Sequence, residues 1–176
     1  MPQLELLEQL GRHRWTVPLL AALAARKGGR FVELLHVLGL GRESLSRTLE
    51  GAIEAGWVIR NPGHGHPLRP EYILTDPGEA AARLCVAIEG AQTKTALPPT
   101  SLTRWSLPLI HLVNHGEHRF AGLSRALPHS NPRALTQSLK SLIGQQLLNR
   151  QVIDAYPPIA EYRLLPRGDI LAGAFV

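Results

Sequence analysis

From residue 133 to 144 the apolar positions are Leu135, Leu139, Leu142 and Ile143, spaced i, i+4, i+7 and i+8 as one stripe along a helix. Pro132 stands where a first helical residue would, with Ser130 or Asn131 before it as a cap. Upstream, residues 102–115 are apolar at helical spacing, interrupted by Pro108, which marks either a kink or a late start. A shorter helix is expected over about 120–127. Downstream, LLNRQVI and PIAEYRLL are short β-leaning runs on either side of DAYPP, the pattern of a hairpin with a loose loop, and PRGDILAGAF begins another helix. The first half of the chain has the same order, with an extra N-terminal helix over about 3–11 and a longer closing helix over about 77–90.

The two halves share residues as well as pattern. At an offset of 90 positions EYILTDPG (71–78) falls on EYRLLPRG (161–168), and RWTVPLLAAL (14–23) falls on RWSLPLIHLV (104–113). ESLSRTLEGAIEAGWVIR (43–60) falls on RALTQSLKSLIGQQLLNR (133–150), and RFVELLHVL (30–38) meets RFAGLSRAL (119–127) after a one-residue slip. Repeats of roughly 20–50 residues build solenoids, whereas a unit of this size can be a domain by itself. The stretch AQTKTALPPTSL is polar and contains Pro-Pro, as a connector would. The expected organisation is a first domain over 1–90, a linker over 91–101 and a second domain over 102–176. Each copy has three helices, a two-stranded ribbon and a closing helix, so the fold class is mainly α with small β wings (α+β): two tandem winged helix-turn-helix domains.

Several residues give the pattern a family likeness. Trp with Pro-Leu opens the first core helix, RF..L the second, and Leu-Thr-x-x-Leu-x-x-Leu lies on the third; an Arg follows on the first strand, and PPIAEYRLLPRG ends the unit. This order resembles that of the HxlR-type winged helix-turn-helix transcriptional regulators, over about 104–171 in the second copy and 14–90 in the first. The resemblance implies a DNA-binding winged helix that pairs as a homodimer through its terminal helices. The chain departs from that type by carrying two copies, like the dimer fused into an intrachain pseudo-dimer. It also lacks the Cys near the start of the first helix that redox-sensing relatives carry.

Composition narrows the classes. Hydrophobic residues at 44% and charged ones at 19% suit a globular protein. No apolar run approaches the ~20 residues needed to cross a bilayer, so no membrane partner is expected. The N-terminus places acidic residues before any basic one, the reverse of a secretory signal, and the single cysteine cannot form an internal disulfide; a cytoplasmic location is the default. The net charge of +5 is unevenly held: residues 1–92 carry ten Lys/Arg and ten Asp/Glu, residues 93–176 nine and four. A polyanion should be felt first by the second half.

In the second repeat the helix side opposite the apolar stripe carries Arg133, Gln137, Lys140 and Ser141. A winged helix presents this face to the major groove, where Arg suits guanine, Gln adenine, and Lys guanine or a phosphate. Ser130, Asn131 and the helix N-terminus are placed for a phosphate, and Arg150 stands on the wing. The first repeat has the stripe Leu45, Leu49, Ala52 and Ile53, with Glu43, Arg47, Glu50 and Glu54 outward. Its contacts are Arg42, Ser44 and Arg47, and carboxylates stand where the second repeat has Arg133 and Lys140, which weakens counterion release. Its wing loop RNPGHGHPLRP offers Arg60, His64, His66 and Arg69 to phosphates or a minor groove, whereas the second loop also carries Asp154.

Other constellations have plainer readings. His111, His115 and His118 have a spacing that could bind zinc, but His115-Gly116 closes the helix, and helix-end histidines suit the macrodipole. Cys85 reads as a small residue packed at a helix interface, with Arg83 the one neighbour able to lower its pKa. Trp15 and Trp105 head equivalent helices, as core anchors do. Neither a catalytic motif nor a cofactor fingerprint is present. The expectation is a non-enzymatic regulator binding double-stranded DNA, the second repeat the stronger reader, at an imperfect palindrome with half-sites about 34–36 Å apart. The alternatives are a winged-helix protein-interaction module and a regulator with an effector cavity between the halves. Further self-association, and the identity of any small-molecule effector, are open from sequence.

Overall fold

In a computed structural model the described residues are 3–61, 70–156 and 158–175. In chain order they form α1 (Gln3–Leu10), α2 (Thr16–Arg26), β1 (Gly29–Arg30), α3 (Phe31–Leu38), α4 (Arg42–Glu54), β2 (Val58–Asn61), β3 (Glu71–Leu74) and α5 (Asp76–Lys94). There follow α6 (Ser106–Asn114), α7 (Phe120–Ala126), α8 (Pro132–Gly144), β4 (Leu148–Ile153), β5 (Ile159–Leu164) and α9 (Pro166–Ala172), with a final turn of 3-10 helix over Gly173–Phe175. The chain divides into two compact units, one of Arg12–Gly90 and one of the described residues up to Gly11 together with those from Ala91 on. Among the described residues no helix is long and apolar enough to cross a membrane.

In the first repeat's unit, Pro18 is the third residue of α2, where the N–H it lacks would have had no intrahelical partner. Pro108 is likewise the third residue of α6, so the late start, not a kink, accounts for it. The core of this unit gathers Leu19, Leu20 and Leu23 of α2, Leu34 of α3, and Leu45, Leu49 and Ala52 of α4, closed by Trp57 and Val58. Ile53 departs from the expected stripe: it is 39% exposed, while Thr48, buried and bonded to the Ser44 carbonyl at 2.7 Å, takes a place on the inner face. The wing is a three-stranded antiparallel sheet in the order β1-β3-β2, not the two-stranded ribbon expected. Gly29 pairs with Tyr72 and Arg30 with Glu71, a strand too short to leave a pattern in the sequence.

The second repeat's unit repeats this frame. Leu135, Leu139 and Leu142 of α8 are buried, Ile143 is half-buried, and β4 pairs with β5 from Leu148–Leu164 to Ile153–Ile159. The third strand shrinks to a bridge between Arg119 and Glu161. Ser138 is also buried, accepting from the Thr103 hydroxyl at 2.8 Å, and the Ser106 hydroxyl completes the group 2.9 Å from Thr103. Helix α1 packs on α6, and Gln3 bonds the Phe175 carbonyl at 3.0 Å, so the N-terminal helix is grouped with the second repeat rather than with the first. Within residues 91–101, α5 runs on to Lys94, and the Gln92 amide donates to the carbonyls of Pro98 and Pro99 at 3.2 and 3.3 Å. The Arg167 guanidinium donates to the carbonyls of Thr95 and Gln145.

The repeated octapeptide now has a physical cause. Its Tyr is buried at Tyr162 and half-buried at Tyr72. Its last residue lets the closing helix touch a backbone carbonyl: a Cβ on Gly78 would lie 1.9 Å from the Trp57 oxygen, and one on Gly168 2.1 Å from the Leu147 oxygen. The same two oxygens accept the N–H of Thr75 and of Leu165, each at 3.0 Å.

Candidate nucleic-acid interface

Helix α8 is capped by Asn131, whose Oδ1 accepts the Ala134 N–H at 2.8 Å. Pro132 has no N–H, and Leu135 N–H goes to the Asn131 carbonyl. Of the first-turn donors, the Arg133 N–H is therefore the one pointed at an outside acceptor. Ser130 is occupied differently from the sequence expectation: its hydroxyl donates to the Leu127 carbonyl at 2.7 Å, which stabilises the turn between α7 and α8. Arg133, Gln137 and Lys140 are exposed along one side of α8, as is Arg150 on β4, and none of the four has an internal bond among the described residues. Ser141, on the same side, is half-buried and accepts from the Gln145 amide at 2.9 Å.

Helix α4 presents a different surface. Arg42 and Ser44 are exposed, but Arg47 is engaged by the Glu43 carboxylate one turn earlier. Glu50 and Glu54 are also exposed, so two cations face three carboxylates on this side. Arg60 is exposed on β2; His64, His66 and Arg69 lie outside the described residues.

Three features escaped the sequence reading. Glu161 is buried at 8% exposure on β5 because two guanidinium groups meet it, Arg163 at 2.9 Å and Arg119 at 3.6 Å. In the first repeat Glu33 accepts the Arg30 N–H at 3.0 Å at the start of α3; its counterpart is Gly122, and Glu117 lies over that glycine and accepts the Arg119 N–H at 3.2 Å instead. Arg125, exposed on α7, is a further cation on the first helix of the motif. Arg119 reaches Glu161 from far along the chain and Glu117 is displaced by the one-residue slip, so spacing alone signals neither.

The histidines are spent separately: His115 Nδ1 lies 2.8 Å from the His111 carbonyl, and His118 Nδ1 lies 3.2 Å from the Tyr162 carbonyl. Burial, and then neighbouring His115, holds His111 below its ordinary pKa. Among the described residues no group of three metal-binding side chains converges. Cys85 is fully buried, and burial with Glu89 behind it pushes the thiol far up, against the lowering by Arg83 considered from sequence. Trp105 is buried with the Arg104 guanidinium 5.0 Å from its ring, whereas Trp15 is half-buried.

With this geometry the comparisons with known proteins agree. The HxlR-like helix-turn-helix family matches the chain twice, over residues 10–94 and 102–176. Relatives include the uncharacterized HTH-type transcriptional regulator YtfH of Escherichia coli (strain K12), 34% identical over 38% of this chain and 53% of its own length. YtcD of Bacillus subtilis (strain 168), also an uncharacterized HTH-type transcriptional regulator, is 33% identical over 40% of this chain and 56% of its own. The HTH-type transcriptional regulator YodB of the same organism is 29% identical, over 41% and 64%. The chain thus spans about half the length of the first curated relatives it matches. No solved structure gives a significant match. With both repeats matched and the same helix, helix and wing order in each, the chain belongs to the HxlR-like helix-turn-helix family.

Proposed function

We propose that this chain is a transcriptional regulator that binds double-stranded DNA with two winged helices on one polypeptide, α8 being the stronger reader. The contrast between the two exposed helix faces carries the proposal. Arg133 and Lys140 are unpaired among the described residues, whereas Arg47 is already neutralised by Glu43 and flanked by Glu50 and Glu54. A duplex is a dense line of negative charge, and its affinity for a helix follows the cations free to release counterions. On α8, Arg133, Gln137 and Lys140 meet base edges or phosphates, while the Arg133 N–H and the Asn131 amide hold a phosphate at the helix start. Arg150 supports this from the wing. In the first repeat the contribution comes from Arg42 and Ser44 of α4 and Arg60 of β2. The names of the relatives as HTH-type transcriptional regulators support the same reading.

The test is fluorescence anisotropy of a mixed-sequence duplex at several salt concentrations, with wild type beside Arg133→Ala/Lys140→Ala. Wild type is expected to bind with a steep negative dependence of log K on log salt. Each lost phosphate contact should shallow the slope by about 0.9. Equal affinity and slope in the two proteins would overturn the assignment to α8. The acidic face of α4 favours one other reading, a winged helix turned to a protein partner. Glu43→Gln/Glu50→Gln separates the two: tighter duplex binding places α4 on DNA, and unchanged binding assigns that face to a partner.

A further inference from the structure

The first repeat carries a groove whose lining side chains are not all shared by its copy, and it stands independently of the DNA reading. Between the end of α2, strand β3 and helix α5 lies a groove of about 540 Å³. Ordinary small-molecule sites occupy roughly 300–1,000 Å³. Ile73 and Leu74 of β3 and Val86 of α5 make apolar walls, and Lys27, Arg83 and Glu79 bring two cations against one carboxylate. Lys27 closes α2 with φ 57, a left-handed conformation that side chains adopt only at a cost, and this turn sets it at the rim. In the second repeat the position of Ile73 is Arg163, drawn onto Glu161 at 2.9 Å. The position of Arg83 is Gly173, which has no side chain to offer an anion.

We propose that this groove binds a small amphipathic acid, its apolar body against Ile73, Leu74 and Val86 and its anionic group held by Arg83 and Lys27. The apolar walls exclude a bare inorganic anion, which would lose hydration there, and the net positive rim excludes an organic cation. A ligand so placed rests on the wing strand β3, the route by which an effector would reach the DNA-facing part of the repeat.

The probe is anilinonaphthalenesulfonate, an aromatic body with one sulfonate, titrated by fluorescence into the folded full chain without DNA. Saturable one-to-one binding is expected. Arg83→Gln should weaken it about tenfold, the value of one charge-assisted contact, and flatten its salt dependence. Val86→Glu, at a position 49% exposed, should abolish it by placing a carboxylate on the apolar wall. Circular dichroism melts check that both variants fold, and if Val86→Glu unfolds, Arg83→Gln alone decides. No saturable binding, or equal affinity in wild type and Arg83→Gln, would overturn the proposal. So would a wild type that ignores the probe and self-associates in sedimentation until Val86→Glu separates it, since a second copy would then fill the groove. Each of these failures leaves the duplex measurements untouched.

Discussion

Replacing Gly168 by Ala puts a single methyl group where α9 touches the Leu147 carbonyl. The added Cβ would stand 2.1 Å from that oxygen and 2.9 Å from Leu164 Cδ2, whereas an unstrained carbon–oxygen contact needs more than about 3 Å. The helix must therefore retreat by about 1 Å from an oxygen that also accepts the Leu165 N–H at 3.0 Å. Overpacking of this kind costs about 1–3 kcal/mol, and the upper end applies because backbone, not a flexible side chain, is struck. Weakening the hydrogen bond adds about 1 kcal/mol. A total near 4 kcal/mol corresponds to a fall in Tm of about 20 °C for a unit of this size. Equilibrium urea unfolding and thermal melts followed by circular dichroism measure both. Gly144→Ala is the control, since nothing lies within 4 Å of its added Cβ and it ends α8, where Ala is favoured by about 0.5–1 kcal/mol. If Gly168→Ala is as stable as wild type within about 0.5 kcal/mol, the close approach does not constrain the fold and the explanation of the repeated glycine is wrong.

Asn131→Ala removes the cap of α8 and should cost about 1 kcal/mol, with Asn131→Asp restoring most of it; equal melting of all three proteins would show that the cap contributes nothing. Because His111 is held below its ordinary value of 6.5, the unfolded chain takes up its proton at higher pH than the fold does. Its contribution is therefore intact above that value and is lost as pH falls through the window beneath it. His111→Gln should flatten the decline of the urea midpoint between about pH 7 and about pH 5, and superimposable profiles would refute it. Cys85, buried with its thiol pushed far up, should react with a disulfide reagent at least about a hundredfold more slowly in the native protein than in urea; rapid native labelling would contradict its burial.

The sequence by itself determined the duplication, the order of elements and the inner and outer faces of the main helices. These are local matters: the spacing of Leu135, Leu139 and Leu142 marks one helix side whatever lies opposite, and Pro132 after Asn131 signals a helix start from covalent geometry. The outward placement of Arg133, Gln137 and Lys140 was legible for the same reason. Tertiary structure alone decided what depends on distant partners. It grouped α1 with the second repeat, added β1 to the first wing, exposed Ile53 while burying Ser138 among hydroxyls, and brought Arg119 to Glu161. It also separated two repeats that share a frame: one β-strand position is Ile73, lining a groove, and its counterpart is Arg163, paired with Glu161. Periodicity records which side of an element avoids water, because that follows from the helix or strand itself. Which residue meets it from far along the chain is set by packing, and packing leaves no period to read.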